Sequence, residues 1–319
     1  MKKKTKGIFE HIFYYSNDGK LFLVFSLCLS VIGMICNVIP YVSVYFIGKN
    51  FLISGDNNET VIFWIAIAGF AILLNLIFTF LGGLGCHKVA FKTLYTYRIN
   101  IMEHLGKLPI GFFSKNTSGS IQKVMDENIE KLESIIAHML PDLVGSFAIL
   151  LLLFLGIGYL NIVMAITVLI SVIIAFCFQY MIFGSEKAKG RYASYIQAST
   201  NITSSFSEYV KGMAEVKLFG KSGGMLKSLE NHLNESLRWE ITNYKKASLP
   251  MSMYKSIILS LLTFIVPVGG ILILGNPTGD TVLAVIMTLI IVPALYEPLL
   301  TCVDYSTQIN LTKSYYKFG

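Results

Sequence analysis

The sequence has 319 residues, of which 54% are hydrophobic and only 14% are charged, and its formal net charge is +7. Soluble domains carry about 25% charged residues, so this composition excludes an ordinary soluble globule and predicts a membrane protein with several spans. The positive charges flank apolar segments, which is typical of membrane insertion and argues against nucleic-acid binding.

Six apolar segments are long enough to cross a bilayer as helices, which takes about 20 residues each. The longest apolar region, Leu143–Phe183, exceeds one crossing, and Gly156–Asn161 divides it into two spans joined by a tight turn. Asn276–Asp280 predicts a second short turn. The predicted spans cover residues 21–47, 61–84, 141–158, 161–183, 256–274 and 281–303.

Lysine and arginine are concentrated in the N-terminus and in two long polar segments, 85–140 and 185–255. By the positive-inside rule these parts are cytoplasmic, so we expect a multi-pass protein of the cell membrane with both termini inside. The basic N-terminus, with Tyr14 and Tyr15, is predicted to form an elbow helix at the inner interface. The five cysteines show no disulfide or metal-binding spacing.

The two long polar segments keep a helical spacing of apolar residues, for example at Ile121, Met125 and Leu132. We therefore predict that spans two and three continue into the cytoplasm as helices, and that spans four and five do the same. Each helix pair must reverse at its far end. The reversals are predicted at about 108–117, where Pro109 breaks the helix, and at about 217–224.

The second reversal contains Gly220-Lys221-Ser222, which is the end of the phosphate-loop pattern G-x-x-x-x-G-K-[ST]. That pattern requires an earlier glycine, where this chain has Glu215, and a strand in front of the loop. The preceding segment is helical in character, so we interpret the tripeptide as the tip of a helical hairpin. No ATPase, catalytic or metal site is predicted in this chain.

Both reversals carry aromatic side chains beside basic ones, at Phe112, Phe113 and Phe219. These residue types suit docking into a groove on a partner protein. They would serve equally well to cap the two hairpins. Composition alone leaves both interpretations open.

Polar residues inside membrane spans are costly and are therefore candidates for function. Asn37 and Pro40 are expected to interrupt span one, Asn75 lies in span two, Gln179 in span four and Glu297 in span six. For Asn75 and Gln179, hydrogen bonding between helices is favoured over ligand contact. We predict a substrate cavity that includes Asn37, Asn75, Gln179 and Glu297.

Glu297 lies about 25 Å along the helix from the outside turn, which places it in the inner leaflet. It would face an inward-open cavity there, and substrate contact and a structural role are equally open. Pro293 and Pro298 are predicted to loosen the same part of span six.

His138 and Asp142 are four residues apart, so they share one face if Pro141 does not break the helix. Their favoured interpretation is a structural hydrogen bond at the inner membrane surface. One histidine and one aspartate are too few to assign a metal site.

Two longer motifs resemble a known family. Leu108-Pro-Ile-Gly-Phe-Phe-Ser-Lys-Asn-Thr-Ser-Gly119 is similar to the first coupling helix of ABC transporters of the exporter fold. Glu208-Tyr-Val-Lys-Gly-Met-Ala-Glu-Val-Lys-Leu-Phe-Gly220 is similar to the approach to their second coupling helix. The resemblance covers nearly the whole chain and implies an all-α membrane fold with six transmembrane helices and two coupling helices.

The resemblance implies that both tips fit into nucleotide-binding domains. ATP and Mg²⁺ would bind to that partner domain, and the chain would pair with a second transmembrane domain as a homodimer or a heterodimer. ATP-driven closure would then rock the helices between inward-open and outward-open states and move a substrate by alternating access. The implied coupling residues are Pro109, Phe112, Phe113, Lys217, Phe219 and Gly220.

A shorter motif, Ala137-His-Met-Leu-Pro-Asp142, resembles a subgroup associated with siderophores, including importers of the yersiniabactin and mycobactin type. It implies a metal–siderophore complex or another small amphipathic molecule as substrate. Import and export both remain open.

Half-transporters of this family continue beyond span six into an ATPase domain, whereas this sequence stops at Gly319. We expect either a membrane subunit whose ATPase is a separate chain or a truncated product. The alternative function is an ATP-independent membrane scaffold or regulator that kept the fold. A membrane enzyme is disfavoured, because no nucleophile motif, histidine cluster or paired acidic site is present.

Overall fold

The structure of the chain is a computed structural model that describes residues 19–54, 58–115, 121, 125, 129–183, 186–219, 223–305 and 308. Within these ranges all regular elements are helical. The all-α membrane fold predicted from the sequence is therefore confirmed.

The described residues contain ten α-helices, which take numbers in chain order, and three short segments of other helical type. The α-helices are α1 Lys20–Lys49, α2 Asn58–Gly106, α3 Ile110–Lys115, α4 Ile129–Ser134, α5 Leu140–Leu160, α6 Ile162–Phe183, α7 Glu186–Phe219, α8 Gly223–Leu259, α9 Leu261–Gly275 and α10 Gly279–Ile291. The π-helical segments are Asn50–Ser54 and Ile135–Met139, and a 3₁₀ segment, Val292–Leu295, follows α10. A further helical stretch covers 296–305.

Five helical stretches among the described residues are long and apolar enough to cross a membrane, or six if one bent pair forms a single span. The bent pair is Leu226–Leu259 with Leu261–Gly275, and its two parts meet at 41°. The other five are Lys20–Ile53, Asn58–Gly106, Ile129–Leu160, Ile162–Met181 and Gly279–Tyr305.

Several helices are much longer than a bilayer requires. At 1.5 Å per residue the 49 residues of α2 extend about 70 Å, more than twice the roughly 30 Å of a hydrocarbon core. The polar helices α7 and α8 have 34 and 37 residues. These lengths allow the reversals after α2 and α7 to lie well outside the membrane.

Prolines affect the helices differently from one position to the next. Pro40 was expected to interrupt span one, but it lies inside the continuous helix α1. Pro141 lies in the first turn of α5, directly after the π-helical segment Ile135–Met139 and within one continuous helical stretch. At Pro293 the α-helix changes to the tighter 3₁₀ segment, so the regular helix is interrupted there.

The chain divides into two compact units. The first comprises 1–168 and 261–306, and in it α1 packs against α2, α5 and α10. The second comprises 169–260 and 307–319, and in it α7 packs along α8. Within the second unit the Ser205 hydroxyl oxygen lies 2.6 Å from Nδ1 of His232, which joins α7 to α8.

Small residues bring α1 and α2 into close contact in the first unit. Ser26 and Ser30 on α1 are buried against Gly82 and Gly85 on α2. Each serine hydroxyl donates to a backbone carbonyl one turn earlier in its own helix, so it needs no partner across the interface. Glycines on the facing helix let the two backbones approach, as is common between membrane helices.

Candidate coupling tips and polar sites in the membrane

The first tip is the short helix α3 at the reversal after α2. The chain leaves α2 in a tight turn, in which the Lys107 N–H donates to the His104 carbonyl at 3.0 Å and the Leu108 N–H donates to the Leu105 carbonyl at 3.1 Å. The Phe112 N–H then donates to the carbonyl of Pro109 at 2.9 Å, which begins the new helical turn. Pro109 is exposed and directly precedes α3. Its fixed φ suits the start of a helix.

The first tip presents apolar side chains to its surroundings. Ile110 is 88% exposed and Phe113 is 46% exposed, while Phe112 is partly covered. The rings of Phe112 and Phe113 meet edge to face with their centroids 5.4 Å apart, so each restricts the other. Exposed apolar residues beyond the end of a long helix are typical of a surface that docks into a partner.

The second tip is described only in part. Lys217 is exposed and Leu218 is 79% exposed near the end of α7. Phe219 is the last residue of α7, but its side chain lies outside the described residues, as does Gly220. The next helix, α8, begins at Gly223.

The four predicted cavity residues have different environments. Asn75 Nδ2 donates to the carbonyl oxygen of Gly33 at 2.7 Å, which is the interhelical hydrogen bond favoured for this residue. Asn37 is exposed on α1. Glu297 is also exposed, just after the 3₁₀ segment, while the adjacent Pro298 is buried.

Gln179 is a buried polar residue of a different kind from Asn75. It is only 7% exposed and continues a buried stripe of α6 formed by Val168, Val172 and Ala175. Its Oε1 has no hydrogen-bond partner among the described residues. This oxygen therefore does not make the interhelical bond predicted for Gln179, and an unpaired buried acceptor normally costs about 1–3 kcal/mol.

A group of polar side chains lies where the middle of α2, the start of α5 and the end of the 296–305 helix come together. Tyr305 donates a hydrogen bond of 2.6 Å from its hydroxyl to Oδ2 of Asp142, across 163 residues of sequence. The rings of His87 and His138 meet edge to face with centroids 4.8 Å apart. We call His87, His138, Asp142 and Tyr305 the inner junction.

Local sequence patterns find only half of the inner junction. His138 and Asp142 are recognisable from their spacing, but the partner of Asp142 is Tyr305 and not a neighbour on its own helix. His138 belongs to the π-helical segment Ile135–Met139, a type of helix defect that often occurs at functional sites. Within the described part of the chain, no three His, Cys, Asp or Glu side chains come together as metal ligands would.

These features agree with a comparison to known protein families. A family model for the ABC transporter transmembrane region matches residues 23–294, which is most of the chain. The chain belongs to this family. The resemblance based on the two coupling motifs is thereby confirmed at the level of the fold.

One curated relative carries a more specific name. The mycobactin import ATP-binding/permease protein of Mycolicibacterium smegmatis is 25% identical over 153 residues. The matched region covers 47% of this chain and 17% of that relative. This ABC transmembrane chain thus corresponds to a small part of the relative's length.

Proposed function

We propose that this chain is the membrane-spanning part of an ATP-driven transporter that works by alternating access. Membership of the ABC transmembrane family supports a role in transport. ATP and Mg²⁺ would bind to a nucleotide-binding domain outside the residues of this sequence. The membrane helices would then change between inward-open and outward-open arrangements as that domain closes and opens.

The observation that carries the proposal is the exposed apolar surface of the first tip. Ile110 and Phe113 lie beyond the end of a helix that extends far more than a bilayer requires. A tip that merely capped its own hairpin would turn these side chains inward. Their exposure favours the docking interpretation, with the ATPase domain as the partner.

Charge and family together suggest the setting of the protein. The basic N-terminus and long polar segments favour a cell-membrane location with both termini in the cytoplasm. A second transmembrane domain, identical or different, would complete the translocation path.

The proposed cargo is a metal–siderophore complex. The name of the mycobactin-importing relative and the motif at 137–142 favour this class over other amphipathic small molecules. The exposed carboxylate of Glu297 in the first unit is one candidate polar contact, and the buried Oε1 of Gln179 in the second unit is a separate candidate. They would leave the metal itself to the siderophore, which already coordinates it.

The first experiment is gentle purification of the tagged chain from its native membrane, followed by mass spectrometry of the proteins that accompany it. We expect a stoichiometric ATPase subunit, unless the chain in the cell is longer and carries the domain itself. A chain that emerges with neither would contradict the proposal and favour the ATP-independent scaffold.

The docking role of the first tip is then tested with Phe113→Ala. We expect this variant to insert and fold normally but to lose most of the ATPase subunit on purification. Aromatic hot-spot residues often contribute about 2 kcal/mol or more to the binding free energy of an interface. Phe206→Ala is the matched control, since Phe206 is an exposed phenylalanine on α7 away from either tip. Equal loss in both variants would point to general destabilisation.

A further inference from the structure

The inner junction brings together residues of three elements, α2, α5 and the 296–305 helix. These elements must move together if force is to pass through the membrane. His87 follows predicted span two, Asp142 begins span three, and Tyr305 follows span six. The Asp142–Tyr305 hydrogen bond is a side-chain link between the last two of these elements. At 2.6 Å it has the short length typical of a phenol donating to a carboxylate.

A continuous path of rigid elements leads from the first tip to this bond. The tip α3 follows directly on α2, and α2 carries His87. His87 packs against His138 in the π-helical segment, which itself packs on α2 and leads into α5. Asp142 lies in the first turn of α5 and holds Tyr305.

The bond is poorly placed to act as a stabilising contact. Asp142 is exposed and Tyr305 is half-buried, so water competes for the carboxylate and reduces what the bond adds to stability. A long-range, well-formed and exposed bond at this position is better explained by what it connects than by what it stabilises.

Resting on the proposed function, we propose that Asp142 and Tyr305 are positioning residues for transport coupling. Their hydrogen bond ties the inner end of span six to the start of span three. A displacement of the first tip, passed along α2 to the junction, then moves span six together with span three. Without the bond, span six is free to lag behind.

The test uses the complex of this chain with its ATPase, in lipid nanodiscs, and needs no substrate. Spin labels are placed at Tyr159 and Asn276, which are exposed at the two outside turns, and their separation is measured with and without ATP plus vanadate. Native cysteines are first replaced by serine. They are Cys28, Cys36, Cys86, Cys177 and Cys302.

We expect the wild-type complex to show an ATP-dependent change in label separation. Tyr305→Phe and Asp142→Asn should each lower the equilibrium constant for that change about five-fold or more, a usual size for coupling between sites. The double variant should behave like either single variant, because both remove the same bond. Tyr244→Phe is the matched control, since Tyr244 is exposed on α8.

A cross-link shows whether positions 142 and 305 stay together or must separate during the ATP-dependent change. Cysteines at positions 142 and 305, joined by a short bifunctional thiol reagent, should retain the ATP-dependent change if the two ends move as one body. Loss of the change on cross-linking would show that the ends must separate, and would overturn the proposal. So would a wild-type response in both Tyr305→Phe and Asp142→Asn.

Thermal unfolding separates coupling from folding. We expect the single variants to unfold within a few degrees of the wild type, since the bond is exposed. The ATP-dependent change and the unfolding midpoint could fall together in Tyr305→Phe and Asp142→Asn. If Asp142→Glu, which keeps the carboxylate, then showed the same two losses, the junction would be merely structural. Absence of any ATP-dependent change in the wild type would instead contradict the proposed function.

Discussion

Asn75 of α2 donates a 2.7 Å hydrogen bond to the backbone carbonyl of Gly33 on α1. The two residues lie in the apolar parts of spans one and two, where an unpaired amide would be costly. The absence of a side chain at Gly33 lets the facing helix approach, since a Cβ there would lie 2.7 Å from the Thr79 hydroxyl and 3.2 Å from its backbone nitrogen. Asn75 is thus explained as a contact between helices.

Replacing Asn75 with alanine should lower stability without altering substrate recognition. Interhelical hydrogen bonds in membranes contribute about 0.6 kcal/mol on average and up to about 1.7 kcal/mol. We expect a correspondingly small fall in the midpoint of thermal unfolding of the purified chain. Asn37→Ala is the control, because Asn37 is exposed on α1 and should leave the midpoint unchanged.

A second stability prediction concerns the close contact of α1 and α2. In Gly82→Ala the new Cβ would lie 3.0 Å from the Ser26 carbonyl oxygen and 3.1 Å from the Ser30 backbone nitrogen. Backbone atoms cannot rotate away, so the helices must separate, and overpacking of this kind costs about 1–3 kcal/mol. We expect a lower yield of folded protein and a lower unfolding midpoint.

The adjacent glycine supplies a matched control. A Cβ at Gly83 meets no atom within 4 Å. Gly83→Ala should therefore be neutral or stabilise the helix by up to about 1 kcal/mol, through the better helix propensity of alanine. Equal damage from both variants would show that the seam between α1 and α2 is not the cause.

Much of the fold could be read from the sequence because apolar length and helical spacing are local signals. They indicate the long helices, the two short outside turns and the reversal at Pro109. They cannot indicate that Asp142 meets Tyr305, since that contact depends on how three helices cross. The bend after Leu259 is equally hidden, because it occurs at Ser260, ten residues after Pro250 and seven before Pro267.

In the candidate site, too, residue types could be predicted from the sequence but contacts could not. Polar residues in the spans were recognisable by type, but their roles depend on partners. Asn75 has one and Gln179 Oε1 has none among the described residues, although the same interhelical bond was favoured for both. The burial and pairing of a single amide oxygen depend on how the helices pack, and a local sequence pattern does not contain that information.

Gln179 leads to a prediction in which stability and function move in opposite directions. Leucine has a similar size and no polar atom, so Gln179→Leu removes an unpaired acceptor and should raise the free energy of unfolding by about 1–2 kcal/mol. If that acceptor serves the cargo, transport of iron-loaded mycobactin across membranes that contain the complex should fall. A stability loss would contradict this account.

Thr288→Val is the control for Gln179→Leu. Thr288 is fully buried, but its hydroxyl donates to the Ala284 carbonyl at 2.8 Å and is therefore satisfied. Its replacement by an apolar side chain of similar size should give no gain in stability. A gain in stability in both variants would reflect the general effect of a more apolar side chain in a membrane helix and not the removal of the unpaired oxygen.

Glu297 allows the sharpest separation of binding from folding. Its side chain is exposed beside the 3₁₀ segment, so its charge is not needed to pack the helix. Glu297→Gln should leave the unfolding midpoint unchanged but weaken binding of iron-loaded mycobactin about ten-fold, as expected when one charged hydrogen bond is lost. Titration of the purified complex measures this, with Glu240→Gln as control because Glu240 is exposed on α8. Unchanged affinity together with a lower midpoint would assign Glu297 to the structure of span six, and the cavity would then have to lie elsewhere.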